Sequence, residues 1–268
     1  MTDLADLGHR TLMTYSRALT AWSSRGGWRE RHGVLACNSG SWIPIIANAA
    51  FRTDDAVAPA ALLDQAEEYF GALGRGYSIK VRDSGMDDDL RAACEARGLA
   101  AFGEPAPEMV CRAPLAVPAL AGDVVLRRVE DEAGVADFCR INGEAYSTYG
   151  MPAEVMADLF DRPAVVLADP DTAMVVADVD GHPMATALVY VSDGVASLQW
   201  VGTRREARHL RLGAAVTGWT TNEAFARGAT ACTLQASPMG EPLYARLGYE
   251  YLYRYTEHVR WRRDPTSR

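Results

Sequence analysis

Residues 195–236 set the tightest limit on the fold. A run rich in β-branched and aromatic side chains, Val195–Thr203, leads into a helical pattern and then a second short apolar run, Thr230–Ala236. Leu212, Ala215, Val216 and Trp219 recur at the i, i+3, i+4, i+7 spacing of one helix face, and Gly228 closes the helix. A strand–helix–strand unit of this length joins parallel strands through a right-handed crossover. The turn entering the helix reads Arg208-His209-Leu210-Arg211-Leu212-Gly213-Ala214-Ala215. The first amides of a helix lack intrahelical partners. Those amides, the positive end of the helix dipole and the guanidinium groups of Arg208 and Arg211 together describe an anion site suited to a pyrophosphate.

The chain has 268 residues, enough for one large or two medium domains. Its 49% apolar and 23% charged residues are those of a globular protein. A net charge of −8 argues against nucleic acid and anionic membranes as partners and suits a cationic substrate such as an amine. The cysteines (Cys37, Cys94, Cys111, Cys139, Cys232) are widely spaced, with no C-x-x-C pair. They read as small buried hydrophobes in a reducing cytoplasm, with no disulfide framework and no metal. The opening MTDLADLGHR has no basic segment ahead of an apolar core, so no secretory signal is expected. The longest apolar run, around Trp42–Phe51, is too short for a bilayer and contains Pro44. Lys80 is the only lysine, an arginine-rich usage expected of GC-rich bacterial coding.

Along the chain, Leu4, Leu12, Tyr15, Leu19 and Trp22 predict an amphipathic helix. Val34–Cys37 and Ile43–Ala50 read as a hairpin across Asn38-Ser39-Gly40, with Asn48 a satisfied core amide. A helix over 59–73 ends at Gly74, and Tyr77–Val81 is a strand. Asp87-Asp88-Asp89 reads as an acidic helix start, favoured by the dipole, for Leu90–Arg97. Gly98 and a strand at Glu108–Arg112 follow, and then the uncharged, proline-containing linker Ala113–Gly122. The second half opens with a strand over Val124–Val129, a helix to about Tyr146 and a short helix from Pro152 to Phe160. A three-strand meander, Thr172–Val179, Met184–Val191 and Val195–Thr203, turns at Asp180-Gly181 and Ser192-Asp193-Gly194.

This order repeats. Helix 59–73, strand 77–81, helix 90–97, Gly98 and strand 108–112 recur as helix 212–227, strand 230–236, helix 241–247, Gly248 and strand 257–261. The first copy enters its helix through FRTDDAVAP, acidic where the second is basic, and carboxylates there repel a diphosphate. The expected domains are therefore 1–112, a copy that has lost the anion site, the linker 113–122, and 123–268, which carries the chemistry.

Two segments within Val124–Trp261 resemble signatures of the GNAT superfamily of acyl-CoA N-acyltransferases. The turn is similar to the family's Arg/Gln-x-x-Gly-x-Gly/Ala pyrophosphate loop, with Arg208 first and Gly213 last. His209 and Arg211 stand where the family carries glycine. A residue entering a helix needs no positive φ, so both are expected in ordinary conformations. Pro242–Tyr249 resembles the Leu-Tyr-x-x-x-Gly-Phe/Tyr helix whose tyrosine faces the thioester sulfur.

The resemblance implies an α/β (α+β) fold of two GNAT-like domains, the first degenerate. Each would be a mixed, mostly antiparallel sheet flanked by helices, with splayed parallel strands in the C-terminal one. It implies acetyl-CoA as cosubstrate, held by Trp200, Val201 and Thr203 of the strand, by Arg208, His209, Leu210, Arg211, Leu212, Gly213 and Ala214 of the turn, and by Ser237. Val201 would polarise the carbonyl through its N–H, and Tyr244 would act as general acid. Where relatives often carry a strand glutamate this chain has Ser197-Leu198-Gln199-Trp200, so Glu144 is taken as the base, with Asp193, a water relay or a substrate amine already partly neutral as alternatives. Tyr146, Tyr149 and Trp200 would wall the acceptor pocket. The implied activity is transfer of acetyl from acetyl-CoA to a primary amine of a small molecule or peptide, by direct attack in a ternary complex, in a monomer or homodimer. The alternative is a non-catalytic acyl-CoA-binding or protein-interaction module.

Overall fold

A computed structural model describes residues 4–120 and 122–262. Ala121 of the linker and the outer ends of both expected domains lie outside the described residues. The N-terminal elements are α1 (Leu4–Trp22), β1 (Gly27–Arg31), β2 (Val34–Asn38), α2 (Pro44–Ala47), β3 (Ala49–Arg52), α3 (Pro59–Ala72), β4 (Tyr77–Arg82), α4 (Asp88–Ala96) and β5 (Ala100–Cys111). Then come β6 (Val124–Arg128), α5 (Glu132–Ser147), α6 (Glu154–Leu159), α7 (Pro163–Ala168), β7 (Thr172–Val179), β8 (His182–Ser192) and β9 (Val195–Thr203). A 3-10 turn (Arg205–Ala207), α8 (Leu212–Ala226), β10 (Ala231–Gln235), α9 (Glu241–Leu247) and β11 (Glu250–Arg260) complete the chain.

These elements form two compact units that interleave along the sequence. One comprises the chain up to Tyr15 and Glu108–Leu252, the other Ser16–Pro107 and the chain from Tyr253. The copies thus trade their last strands. The end of β5 pairs antiparallel with β10 in the first unit, and β11 pairs antiparallel with β4 in the second.

In the first unit the strands run β5-β10-β9-β8-β7-β6, antiparallel throughout except between β9 and β10. Leu212 and Val216 of α8 pack on Ala196 and Leu198 of β9 and on the alanine- and valine-rich faces of β7 and β8. The segment expected as a linker is held down. The Leu115 amide donates to Asn222 Oδ1 at 2.7 Å, and Asn222 Nδ2 donates to the Leu115 carbonyl at 2.9 Å. Gly218 of α8 leaves the room that Val117 needs; a Cβ there would stand 3.3 Å from Val117 Cγ2.

The parallel ladder between β9 and β10 runs only from Val195–Ala231 to Ser197–Thr233. Beyond Ser197, β9 has no partner on that side, and the two strands splay. On its other side β9 carries a bulge. Leu188 of β8 faces Gln199 while Thr186 faces Gly202, so Trp200 and Val201 oppose the single residue Ala187. Trp200 takes φ 55°. One extra residue reverses the side-chain alternation of everything after it.

In the second unit β1 and β2 form a hairpin through His32-Gly33, both at positive φ. β2 pairs antiparallel with β3, and β3 is joined to β4, parallel, by α3. The hairpin expected across 38–40 is not there. Pro44 opens the short helix α2 instead of a strand, since its fixed φ and missing N–H suit a first helical turn. Asn48 is fully buried and satisfied, donating to the Ser41 carbonyl and accepting from the Ser39 amide.

The acidic run does more than start α4. Asp87 turns inward and binds Arg82 at 2.8 Å and Arg52 at 2.6 Å, all three side chains buried. Asp55 and Asp89 complete the set on Arg82 and Arg52 respectively. Burial by itself would raise the Asp87 carboxyl; the bonds from Arg82 and Arg52 outweigh it and hold it at about 2. A depressed carboxyl adds stability above its unfolded value of about 3.9 and loses it as pH falls through the folded value. Stability of this unit should therefore fall as pH drops from about 4 toward 2. Asp87→Asn should cost about 3 kcal/mol at neutral pH and flatten that acid limb, measured by urea unfolding at a series of pH values.

Candidate functional site

The site of interest lies in the first unit, where the bulge, the splay and the start of α8 meet. A cavity of about 680 Å³ opens there. Had β9 kept its alternation, Ala196 and Leu198 would be followed on the α8 side by Trp200 and Gly202. The bulge puts Val201 and Thr203 there instead, and both line the cavity. Trp200 is turned the other way. Its indole N–H donates to the Tyr15 hydroxyl, and its ring packs edge-on against Tyr146 at 5.5 Å and Phe160 at 6.2 Å. Trp200, expected among the coenzyme contacts, therefore does not line the cavity. Gly202 must be small, because a Cβ there would stand 2.5 Å from Asn142 Oδ1 of α5.

The turn before α8 supplies the opposite wall. Arg208, His209, Arg211, Leu212, Gly213 and Ala214 line the cavity; Leu210 does not, and is exposed. The first intrahelical bond of α8 runs from the Ala215 amide to the Arg211 carbonyl, so the amides of Leu212, Gly213 and Ala214 precede it. No side chain caps the helix. His209 and Arg211 adopt φ of 74° and 62°. The expectation of ordinary conformations is overturned: the turn keeps a left-handed geometry while using side-chain-bearing residues, at a cost of about 1–2 kcal/mol each. Gly213 is helical in the first turn and sits close, its missing Cβ 3.5 Å from both Thr203 Oγ1 and Leu243 Cδ2.

The cavity is electrostatically one-sided. Its charged lining is Arg208, Arg211 and Arg246, with His209 and no carboxylate. Several other arginines of this unit are neutralised in place, whereas Arg10 and Arg205 are exposed at the surface. Arg127 binds Asp137 and Asp178, while Arg128 and Arg227 share Glu223. Among the described residues Arg208 and Arg211 have no ion pair. Unpaired guanidiniums beside unpaired helix amides fit a doubly charged diphosphate.

On the remaining side stand Tyr146, Tyr149, Ser237 and Tyr244. Tyr149 donates to Ser237 Oγ at 3.1 Å, and the same oxygen accepts from the Gly240 amide. Tyr244 is buried on α9, and no described residue hydrogen-bonds its hydroxyl. Burial, with Tyr146 and Tyr149 adding to it, pushes this phenol well above its ordinary value. Tyr146 is raised in the same way. Sequence reasoning did not single out Gln235, Leu243, Arg246 and Leu247 as cavity residues. The i, i+3, i+4 relation of Leu243, Arg246 and Leu247 on α9 was the available signal.

Glu144 does not join the cavity. Its carboxylate is clamped by Arg204, at 2.6 Å and 3.0 Å. Asp193 sits at φ 52° in the β8–β9 turn, at the far end of β9 from Val201. Among the described residues no group of three or more His, Cys, Asp or Glu side chains is placed to hold a metal ion.

A mixed sheet with two splayed parallel strands, a basic helix start at their opening and a cavity lined by three tyrosines define the class of α/β fold to which this unit belongs. Residues 116–240 match the family model described as an acetyltransferase (GNAT) domain. A GCN5-related N-acetyltransferase from Kribbella flavida superposes with a TM-score of 0.72 at 21% identity, covering 100% of this chain and 98% of that one. A GCN5-related N-acetyltransferase from Sphaerobacter thermophilus gives 0.61 at 15% identity, over 86% of this chain and 78% of that one. A tandem GNAT protein from the clavulanic acid biosynthesis pathway gives 0.60 at 14% identity, over 97% and 96%. At these identities the likeness is one of fold. Comparison with curated protein sequences finds no match. The family-model match over residues 116–240 and the fold shared with the Kribbella flavida and tandem GNAT structures support acyl transfer in general.

The left-handed turn gives a direct check. His209→Gly should raise stability by about 0.5–1 kcal/mol in urea unfolding, because glycine takes that conformation without a Cβ penalty. A loss of stability would mean that His209 is held there by contacts of its own.

Proposed function

We propose that this protein is an N-acetyltransferase that moves the acetyl group of acetyl-CoA to a primary amine of a small molecule or peptide, by direct attack within a ternary complex. The observation that carries the reading is the cavity between β9 and β10, which joins unpaired arginines and helix amides at one end to a buried, unbonded phenol at the other. Acetyl-CoA supplies an activated thioester and a diphosphate handle. Arg208, Arg211 and the amides of Leu212, Gly213 and Ala214 hold the diphosphate. Val201, on the bulge beside the splay, offers its backbone N–H to the thioester carbonyl, a donor fixed in advance and worth most out of water. Thr203 and Ser237 flank the thread of the bound chain.

Tyr244 faces the departing sulfur. A phenol raised above about 10 is a weaker acid than a thiol of about 8.5. Tyr244 therefore stabilises the thiolate by donating a hydrogen bond, and solvent supplies the proton that the sulfur finally keeps. The amine's proton leaves through water, since no carboxylate lines the cavity. That same lack favours the second reading, a module that binds acyl-CoA without turnover. All cysteines are free thiols, and burial holds Cys37, Cys94, Cys139 and Cys232 up at about 12, which suits inert packing groups in a reducing cytoplasm. No described helix is long and apolar enough to cross a membrane.

Calorimetry with acetyl-CoA, followed by thiol release over a panel of amines, separates the readings: binding with release supports the enzyme, binding without release the module. Tyr244→Phe should lower kcat on the order of 30-fold while leaving acetyl-CoA affinity within twofold, the value of one hydrogen bond to a charge. Unchanged turnover would remove Tyr244 from the mechanism. In wild type, Tyr244 should contribute no alkaline loss of kcat up to about pH 10, because its folded value lies above the ordinary one.

A further inference from the structure

The cavity holds a third arginine that the diphosphate does not need. Arg246 stands in the last turn of α9, exposed at the mouth, and no described residue forms an ion pair with it. It comes from a different element than Arg208 and Arg211. Its place relative to the turn follows from Leu243: the Cβ that Gly213 lacks would lie 3.5 Å from Leu243 Cδ2, so α9 touches the turn at that residue. Arg246 is three residues on, along the same face and about 5 Å further along the helix axis. Two cationic places therefore line one cavity, separated by roughly a helical turn. The first already has two guanidiniums and three amides for one diphosphate. The second calls for another anionic group on the same ligand, a short covalent distance from the first.

Coenzyme A carries such a group, the 3′-phosphate on the ribose whose 5′ position bears the diphosphate. We propose that Arg246 binds this 3′-phosphate and sets a preference for coenzyme A over otherwise identical carriers that lack it. The inference rests on the coenzyme reading above. Arg246 is a specificity residue: it touches neither the thioester nor the amine.

The experiment is calorimetry of coenzyme A and of dephospho-coenzyme A with the full chain, as wild type, Arg246→Gln and Arg246→Lys. Wild type should bind coenzyme A about fivefold more tightly, the worth of a partly exposed ion pair. The preference should shrink as salt is added. Arg246→Gln should abolish it by weakening coenzyme A alone, with dephospho-coenzyme A unchanged within twofold, and Arg246→Lys should keep most of it. Equal binding of the two ligands by wild type, or equal weakening of both in Arg246→Gln, overturns the assignment while leaving the coenzyme reading standing. Failure of wild type to bind either ligand overturns both.

Discussion

The early end of the β9–β10 ladder is the constraint on which the rest depends. Two parallel strands that stay paired leave no opening, and every backbone group between them is spent in the ladder. Here pairing stops at Ser197–Thr233, while the bulge at Trp200–Val201 bends β9 and reverses its alternation. The consequences are linked. Val201 and Thr203 come to face the start of α8, Trp200 is sent to the aromatic cluster with Tyr15 and Tyr146, and Gly202 lets β9 press on α5. A single inserted residue thus decides which side chains line the cavity and which brace the sheet.

The electrostatics follow the same division between ligand and scaffold. A guanidinium partnered by carboxylates contributes to the fold, and one left unpartnered in a cleft is open to an anion. Arg52 and Arg82 are of the first kind, their charge absorbed by Asp55, Asp87 and Asp89. Arg208 and Arg211 are of the second. The approach to α3 and the approach to α8 thus have opposite chemistry at corresponding places in the repeat. An internal carboxylate set fills one, and helix amides with free arginines line the other. This supports assigning coenzyme binding to the second copy.

Much of the architecture was legible because periodicity carries it. The stripe at Leu212, Ala215 and Val216, the meander with its Asp-Gly turns and the closing glycines all arise from local physics. The approach to α8 was legible as a basic helix start from Arg208 and the pattern after it, and it does line the cavity. What was hidden depends on partners far along the chain. Nothing near Trp200 marks a bulge, since that is a relation between β9 and β8 and not a property of either strand. His209 and Arg211 gave no sign of left-handed backbone, because glycine is the residue that announces it. Asp87 looked like a helix-start acid, and only the fold brings Arg52 and Arg82 to it. Glu144 looked available until Arg204, sixty residues on, closed over it. The exchange of β5 and β11 was invisible for another reason: each copy contains a full set of strands, and sequence order cannot say which sheet a last strand joins.

The central claim is that a diphosphate is gripped by the amides at the start of α8. Backbone amide resonances followed during titration with coenzyme A test it most directly. The account predicts large downfield shifts at Leu212, Gly213 and Ala214, with a further response at Val201 and none at the start of α3. Shifts centred on α3, or saturable binding that leaves residues 211–214 unmoved, would contradict it.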